Sequence, residues 1–477
     1  MGPRSASGDC GKLSEMSLPP SPTPTLESVG TINKDGSRRY VHPATVKGRF
    51  TTWRGMVFTL MIAVYVGLPW IPINGNPAVF LDLKHLQFHF FGLTFVTQDL
   101  WLGFFLVSGL AFSLFYVSAL FGRVWCGWGC PQTVFLEVAR RIERFVEGDS
   151  FARVRLDREA YTGSKTAKRI AKHALYFAFA TILAHVFLSY FVSLPRLYRM
   201  MTSAPFENGG SFMLVAGMTA VLWFNFHWFR EQFCIVLCPY GRLQSALIDK
   251  HSIVIGYDAG RGEPRGRKGT PGAGDCVDCR RCVAVCPTAI DIRQGLQMEC
   301  IGCSACIDAC DSVMTKLDRP RGLIRYDSSE GLAGRKTKWI RPRIILYTAL
   351  LALGVTVMSL ALTTLKPAAV SLLRIQGAPY FIDAGQVRNQ FFLRVLNKRN
   401  RDEAFRIELV GAPPTLRSTG LDEPIHVPAL GEEMRPVVMT IPRADFHEDP
   451  KFSVRIVDST GKAVAERRVT FLGPFVP

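Results

Sequence analysis

The sequence predicts a multi-domain membrane protein, in which a five-span α-helical bundle carries a cysteine-rich α+β domain and is followed by a C-terminal β-sandwich. Three observations predict this fold class. Five apolar runs are long enough to cross a bilayer, which takes ~20 residues. Eight of the thirteen cysteines fall between Cys276 and Cys310. After the fifth run, short alternating segments separated by turn residues replace the long apolar ones, as in a small antiparallel β-sandwich.

The segment before the first apolar run, residues 1–50, is rich in Ser, Pro, Gly and charge. It lacks the apolar stretch of a signal peptide, and its composition predicts a disordered cytoplasmic tail. Cys10 is the only cysteine before residue 126. Its position in such a tail favours an incidental thiol over a functional one.

The five apolar runs cover residues 56–73, 100–121, 173–194, 212–233 and 343–362. Five such runs favour membrane spans over buried core helices. The intervening segments alternate in Lys/Arg content, with eight before the first run, one in 73–98, ten in 121–171, two in 195–210 and seventeen in 231–342. By the positive-inside rule, this alternation predicts a cytoplasmic N-terminus and a C-terminus on the outside.

The predicted domains follow from these runs. They are the tail (1–50), four spans (51–240), a cytoplasmic cysteine-rich domain (241–340), the fifth span (341–365) and an outer β domain (366–477). The chain carries 57 basic and 39 acidic residues, a net charge of +18. Because charge and apolarity are segregated, the excess predicts basic flanks of membrane spans. No basic stretch has the interleaved aromatic residues or motifs of nucleic-acid recognition, so no nucleic-acid partner is expected.

The cysteine-rich domain contains the same spacing twice. "CVDCRRCVAVCP" begins at residue 276, and "CIGCSACIDAC" follows from residue 300. This is the bacterial ferredoxin pattern, in which the fourth cysteine of each run ligates the other cluster. It predicts two [4Fe–4S] clusters, one held by the first cysteine set (Cys276, Cys279, Cys282, Cys310) and one by the second cysteine set (Cys286, Cys300, Cys303, Cys306). Zinc is the alternative for four thiolates, but its sites do not need this three-plus-one spacing twice.

The second run departs from the pattern at one position. Asp311 stands where a proline would follow the last cysteine, whereas Pro287 follows Cys286 as expected. The departure leaves the number of thiol ligands unchanged and concerns only the turn after Cys310.

Two further motifs, "CGWGCP" and "CIVLCP", follow the second and fourth apolar runs. We call their four thiols the Cys-Pro thiols: Cys126, Cys130, Cys234 and Cys238. Proline suits the first position of a helix, so Cys130 and Cys238 are expected at helix N-termini, where the helix dipole lowers a thiol pKa. Thiolates favour copper(I), zinc and iron. The spacing therefore predicts a metal-binding or redox site, with copper as a candidate, and leaves inert packing and a redox disulfide as alternatives.

The helix predicted after Cys130 is amphipathic, with a basic face suited to the membrane surface. Two pairs of histidines are also candidate ligands. His85 and His89 share one face of a predicted outer hairpin, where interfacial packing is the alternative to a surface metal site. His173 and His227 lie near the cytoplasmic ends of their runs, where hydrogen bonding between helices is the alternative to a haem.

The five runs, "VWCGWGCPQ", "CIVLCPYGR", the double ferredoxin pattern and the C-terminal β domain together resemble the FixG/RdxA/CcoG family of cytochrome c oxidase accessory proteins. The resemblance covers nearly everything after about residue 40. It implies a ferredoxin-like two-cluster domain, a periplasmic Ig-like domain and a location in a bacterial inner membrane. It also implies a part in assembling the cbb3-type haem–copper oxidase, with reduction of Cu(II) to Cu(I) as the activity.

On this resemblance the expected partners are the membrane, a cytoplasmic electron donor and copper-handling or oxidase-assembly proteins. The expected activity is that of an electron carrier or cupric reductase acting at the Cys-Pro thiols. Two other functions are compatible with the same sequence. One is a quinol-linked electron-transfer subunit of a respiratory enzyme, and the other is a non-catalytic scaffold for oxidase assembly.

Overall fold

The computed structural model describes residues 40–84, 86–96, 99–363, 366–375 and 377–474. Cys10, His85 and the predicted tail up to residue 39 lie outside the described residues. The chain divides into two compact units, one formed by Met1–Trp70 with Phe104–Val355 and the other by Ile71–Gly103 with Thr356–Pro477. Each unit is described by itself.

Fourteen α-helices occur in the described residues. They are α1 Arg49–Gly67, α2 Leu100–Phe121, α3 Val124–Trp128, α4 Pro131–Glu147, α5 Ser150–Arg158, α6 Gly163–Leu188, α7 Leu194–Thr202, α8 Gly209–Phe224, α9 Pro239–Leu247, α10 Ala259–Gly262, α11 Arg281–Ala284, α12 Ala305–Lys316, α13 Ser329–Leu332 and α14 Pro342–Thr363.

Five helical segments of the described chain are long and apolar enough to cross a membrane: Arg49–Trp70, Leu100–Phe121, Gly163–Leu188, Pro205–Phe229 and Pro342–Thr363. The five predicted runs are therefore confirmed as helices of spanning length. The first, third and fourth segments begin several residues earlier than the apolar runs. For α6 the reason is a local cap, because the Thr162 side chain accepts a hydrogen bond from the Lys165 backbone N–H and so starts the helix before its apolar part.

In the first unit, α6 packs against α4 and α8. Its apolar contacts involve a buried cluster of small and large side chains: Leu136, Ala139, Tyr176, Ala180, Leu183 and Phe226. Past α8 the backbone widens into two π-helical turns, Asn225–Phe229 and Phe233–Leu237. Between them, Arg230 has a positive φ of 49°. Such π-turns often occur at functional sites, and the second of these contains Cys234.

The cysteine-rich domain is held together by a two-stranded antiparallel sheet. Strand β6 (Val254–Tyr257) precedes both cysteine runs, and β7 (Ile324–Asp327) follows them and pairs with β6. Helices α11 and α12 lie between the two strands in sequence, and each carries cysteines. The core beneath them is apolar and includes Ile255, Tyr257, Ile292, Ile307, Met314, Leu323 and Ile324.

The second unit is built from β-strands. The loop between α1 and α2 contains a two-stranded ribbon and a three-stranded sheet, formed by β1 Pro72–Ile73, β2 Asn76–Pro77, β3 Val79–Asp82, β4 Gln87–Phe90 and β5 Leu93–Val96. Strands β4 and β5 pair directly, which confirms the predicted hairpin. The C-terminal strands are β8 Ala368–Arg374, β9 Phe381–Asp383, β10 Gln386–Asn397, β11 Glu403–Val410, β12 Arg417–Thr419, β13 Ile425–Val427, β14 Glu432–Pro442, β15 Lys451–Val457 and β16 Ala463–Thr470.

These C-terminal strands form two antiparallel sheets. One has the order β12–β14–β10–β8, with β9 also paired to β10, and the other has the order β13–β11–β15–β16. Their inward-facing residues make one apolar core that includes Val387, Leu393, Phe405, Ile425, Val437, Met439, Val454, Ile456 and Phe471. Alternation of buried and exposed residues along β10, β14 and β15 is the pattern on which the β-sandwich was predicted.

Candidate metal centre

The cysteines of the two runs line two neighbouring pockets. One pocket is lined by the whole first cysteine set, together with Tyr257, Arg293 and apolar residues from α12 and β7. Cys310 reaches this pocket because α12 extends from the second run back to the first. The ligand assignment remains a prediction, but four thiols around one small pocket form the donor set that a [4Fe–4S] cluster requires.

The second pocket is lined by the whole second cysteine set and by a shell of isoleucines. Here Cys286 comes from the first run, so each run contributes its fourth cysteine to the other pocket. Burial raises the pKa of the Cys300 thiol to about 12, and burial likewise raises the pKa of Cys310 to about 12. Thiols of this kind ionise when they bind a metal cation, which fits a cluster as the occupant.

Asp311 explains the departure from the ferredoxin pattern. Helix α12 continues past Cys310 to Lys316, so residue 311 is inside a helix, where proline is strongly unfavourable. The Asp311 carboxylate instead accepts a hydrogen bond of 2.9 Å from the Gly322 backbone N–H. This bond ties the end of the second cysteine run to the strand that closes the domain.

The structure also brings the four Cys-Pro thiols together. Cys126 lies in α3, Cys130 precedes α4, Cys234 is in the second π-turn and Cys238 precedes α9. The thiols are close enough to interact electrostatically: after burial, Cys130, Cys126 and Cys238 each raise the pKa of Cys234, which reaches about 12. All twelve described cysteines are free thiols.

The expectation of a lowered thiol pKa at Cys130 is wrong. Cys130 does stand at the N-terminus of α4, with Pro131 in the first helical position. Burial nevertheless raises the pKa of Cys130 and outweighs the hydrogen bonds from the first turn of the helix. Burial also raises the pKa of Cys126 to about 11. Removal from water disfavours the Cys130 thiolate more strongly than these hydrogen bonds favour it.

Buried ion pairs hold the two Cys-Pro motifs against each other. Arg230 makes a two-pronged bond to Glu143 of α4, with both N–O distances 3.0 Å, and Arg140 of α4 bonds to Glu231. Burial would raise the pKa of Glu143, but Arg230 and Arg153 outweigh it and lower the pKa to about 2. The helix after the first motif is thereby fixed to the turn before the second.

This network corrects the expectation for α4. The helix is amphipathic, but much of its charged face does not lie on the membrane surface, because Arg140, Glu143 and Glu147 are buried. Sequence reasoning missed the network. The available signal was the alternation of acidic and basic residues along α4 beside "RE" at 230–231, which indicates pairing rather than a uniformly basic face.

The first Cys-Pro motif packs directly on the loop of the second cysteine run. A Cβ atom added at Gly127 would lie 2.4 Å from the carbonyl oxygen of Gly302 and 2.8 Å from that of Ile301. Gly302 has a positive φ of 68°, and its own Cβ would lie 2.8 Å from the Arg123 carbonyl oxygen. Only two glycines allow this backbone contact, which places Cys126 beside the second cysteine set.

Side chains reinforce the same contact. The Trp128 indole N–H donates to the Tyr326 hydroxyl at 3.1 Å, and that hydroxyl donates to the Gly302 carbonyl at 3.1 Å. Cys126 is partly buried and packs against the buried cluster that contains Cys303. On the other side, the Cys126 thiol lies 3.4 Å from the Gln244 side-chain oxygen in α9. Cys126 therefore contacts both α9, the helix that follows the second Cys-Pro motif, and the cluster that contains Cys303.

Asp308 links the same cysteine run to the first membrane helix. Its carboxylate accepts hydrogen bonds from the backbone N–H groups of Phe50 and Thr51 at 3.1 and 2.7 Å, and from the Thr51 hydroxyl at 2.7 Å. This remote cap explains why α1 begins at Arg49, well before its apolar run. A cap supplied by a residue more than 250 positions away in sequence has no local signal.

His173 and His227 do not form a haem site. The ring centroids of His173 and His227 are 4.2 Å apart, which leaves no space for a porphyrin between them. His89 is buried, and its ring lies 2.9 Å from the Thr94 hydroxyl, so it packs inside the hairpin formed by β4 and β5. Across the part of the chain that the structure describes, no group of three or more His, Cys, Asp or Glu side chains is arranged to hold a single metal ion, and this includes the four Cys-Pro thiols in the positions seen here.

Three family models match parts of the chain. A "4Fe-4S dicluster domain" matches residues 229–329, a "4Fe-4S binding domain" matches residues 101–147, and an "IG-like fold at C-terminal of FixG" matches residues 358–474. The first match contains both cysteine runs and the second Cys-Pro motif, and the second contains the first Cys-Pro motif. The third identifies the C-terminal sandwich as Ig-like.

Curated relatives match over most of the chain. Protein RdxA of Cereibacter sphaeroides is 36% identical over 83% of this chain and 88% of its own length. Nitrogen fixation protein FixG of Rhizobium meliloti is 33% identical over 86% of this chain and 88% of its own length. Protein RdxB of Cereibacter sphaeroides is 34% identical over 81% of this chain and 85% of its own length.

Proposed function

Because this chain belongs to the family of RdxA and FixG, we propose that it reduces Cu(II) to Cu(I) at the Cys-Pro thiols, for assembly of a cbb3-type cytochrome oxidase. Its membrane helices and 4Fe–4S domains make it a membrane iron–sulfur electron-transfer protein. We propose that Cu(II) is the electron acceptor and that the Cu(I) formed serves oxidase assembly. Electrons enter from a cytoplasmic donor and leave at the Cys-Pro thiols.

One observation carries the proposal: the contact between Gly127 and Gly302, which sets the first Cys-Pro motif against the second cysteine run with no side chain between the two backbones. A [4Fe–4S] cluster held by four thiolates carries one electron at a time, and reduction of Cu(II) to Cu(I) consumes one electron. We assign the two cysteine sets to two such clusters in a ferredoxin-like arrangement. An acceptor at Cys126 is then adjacent to the second set.

The Cys-Pro thiols suit a copper substrate for chemical reasons. Thiolate sulfur is a soft ligand that favours Cu(I) over Cu(II), so binding at these thiols makes reduction more favourable. Burial raises the pKa of Cys126 to about 11, so copper displaces a proton from this thiol on binding. Arg123 favours the thiolate form of Cys126, which helps this proton to leave.

We further propose that the two cysteine sets and the Cys-Pro thiols face the cytoplasm, and that the Ig-like domain lies in the periplasm of the inner membrane. The alternation of basic residues supports this orientation. A reporter enzyme that is active only in the periplasm should be active when fused after Lys366 and inactive when fused after Asp318. The opposite pattern would reverse the orientation.

A second candidate is favoured by the match of residues 101–147 to a "4Fe-4S binding domain". In that case the Cys-Pro thiols hold iron and form part of the electron path, and copper is not their substrate. Metal analysis after anaerobic purification separates the two functions. Iron beyond the content of two [4Fe–4S] clusters supports the second candidate, whereas copper bound after addition of Cu(II) supports the first.

The test of copper reduction is the double substitution Cys130→Ser with Cys238→Ser, compared with Cys10→Ser as the control. Serine is close to cysteine in size but lacks a soft sulfur donor. We expect normal cluster EPR spectra in both variants. After reduction with dithionite and removal of the excess dithionite, we expect a sharp loss of Cu(I) formation in the double variant alone. Unchanged copper reduction in the double variant contradicts the proposal.

A further inference from the structure

A pocket separate from those of the two cysteine sets opens beside the first membrane helix. Its cavity is about 150 Å³, and its walls come from the segment at 43–46, from α1, from α4 and from the second cysteine run. The basic residues that line it are Arg54, Arg140, Arg141 and Arg144, and the acidic lining residue is Glu137. The lining therefore carries an excess of positive charge.

Glu137 alone does not neutralise this charge, and of the four arginines only Arg140 has a further acidic partner among the described residues, Glu231. The Glu137 carboxylate is shared by three guanidinium groups, at 2.9 Å from Arg144 and 3.6 Å from both Arg54 and Arg140. Arg54 and Arg140 are 8% and 5% exposed, and the buried Nε–H of each has no hydrogen-bond acceptor in the described residues. Buried donors without acceptors are unfavourable, so the protein alone leaves part of this site unsatisfied.

The pocket is also connected to the second cysteine set. Cys303 and Pro287 form part of its wall, and the Arg54 guanidinium donates a 3.0 Å hydrogen bond to the Cys303 carbonyl. Arg54 lies near the start of α1, at the end of the helix that Asp308 caps. Phe58, one turn further along α1, is the apolar side of the pocket nearest to the membrane-spanning part.

We propose that this pocket binds a phosphate group, and that its occupancy lowers the reduction potential of the cluster at the second cysteine set. Guanidinium forks match phosphate oxygens in geometry and charge. A pocket of basic residues at the membrane interface can take the phosphate of an anionic lipid, and free phosphate has the same chemistry. A negative charge next to a cluster stabilises its oxidised form. The potential shift depends on the cluster assignment made above, whereas phosphate binding does not.

The test uses the full-length, cluster-loaded protein and the double substitution Arg141→Gln with Arg144→Gln. Its matched control is Arg155→Gln with Arg158→Gln, which removes the same charge from the exposed face of α5. One arm measures binding of phosphatidylglycerol by native mass spectrometry and in nanodiscs, with phosphatidylcholine nanodiscs as the reference. The other arm titrates inorganic phosphate by calorimetry in detergent. A redox titration followed by EPR gives the potential of each cluster in both arms.

We expect binding to weaken by about 30-fold in the pocket variant, since each interfacial Arg contributes ~1 kcal/mol, and to stay unchanged in the control. Loss confined to phosphatidylglycerol identifies a lipid, and loss of inorganic phosphate binding identifies free phosphate. The single substitution Arg141→Gln changes an exposed position, so this variant should retain its clusters. Its affinity for the phosphate probe should fall about fivefold. The proposed site is overturned if the pocket and control variants bind the probes equally well. It is also overturned if the unaltered protein binds neither probe. Binding without a potential shift overturns only the link to the cluster.

Discussion

Gly127→Ala tests the contact on which electron delivery to the Cys-Pro thiols depends. The new methyl carbon would lie 2.4 Å from the Gly302 carbonyl oxygen and 2.6 Å from its carbonyl carbon. Ordinary contact begins at 3.4 Å, so the two backbones must separate by about 1 Å. Both obstructing atoms belong to the backbone and cannot rotate away. We expect a loss of about 1–3 kcal/mol in stability, as for other overpacked sites.

The assay compares stability with copper reduction in the same preparation. The apparent melting temperature should fall by about 2–4 °C for each kcal/mol lost. The rate of Cu(I) formation from the reduced protein should fall by up to ~100-fold, because a displacement of about 1 Å can have that effect on a positioned reaction. Gly109→Ala in α2 is the control, since nothing lies within 4 Å of its added Cβ.

Three outcomes of this experiment differ in meaning. A large loss of rate in Gly127→Ala, with both cluster EPR signals intact, supports electron delivery across this contact. Loss of the second-set signal alone shows instead that Gly127 supports the cluster loop. An unchanged rate and an unchanged melting temperature in Gly127→Ala refute the reasoning, because the close backbone contact would then be unimportant.

Two other predictions concern the ligands and the ion pairs. Cys286→Ser should alter the EPR signal of the cluster at the second cysteine set more than that of the first, and selective damage to the first contradicts the crossed assignment. Glu143→Gln leaves Arg230 and Arg153 buried beside a neutral side chain, so it should lower stability by about 3–5 kcal/mol. The control is Glu159→Gln at an exposed position, which should change stability by less than ~1 kcal/mol. The pKa of Glu143 is lowered to about 2 from an ordinary value of 4.5, so its contribution is complete above pH 4.5 and is lost as the pH falls towards 2. Two results would contradict this role. One is an equal melting temperature for Glu143→Gln and Glu159→Gln. The other is an equal sensitivity to acid for Glu143→Gln and the unaltered protein.

Patterns within short stretches of sequence predicted most of the architecture. Five helices of spanning length, the hairpin at 87–96 and the C-terminal sandwich follow from runs and alternation of apolar residues. The crossed grouping of Cys286 and Cys310 follows from spacing, because a short helix after three closely spaced cysteines carries the fourth away from them. Such signals are local, so a single sequence contains them.

The predictions from sequence were wrong where the burial of a side chain determined its ionisation or its partners. The raised pKa of Cys130 opposes the prediction from its helix N-terminus, since the sequence indicates the helix dipole but not the loss of water around the thiol. The charged face of α4 was assigned to the membrane surface, but Arg140 and Glu143 pair with Glu231 and Arg230. The partners lie about ninety residues apart in sequence, which no helical periodicity can reveal.

The sequence by itself determined the two cysteine sets, the four Cys-Pro thiols and the spans beside them, because each depends on residue type and spacing over a few dozen positions. Only the tertiary structure decided that Gly127 rests on Gly302, that Asp308 starts the first membrane helix, and that Arg54 joins a basic pocket to the second cysteine set. Each of these contacts joins segments more than 150 residues apart. Their geometry depends on how the helices pack around buried charges, and a linear pattern of residues does not contain that information.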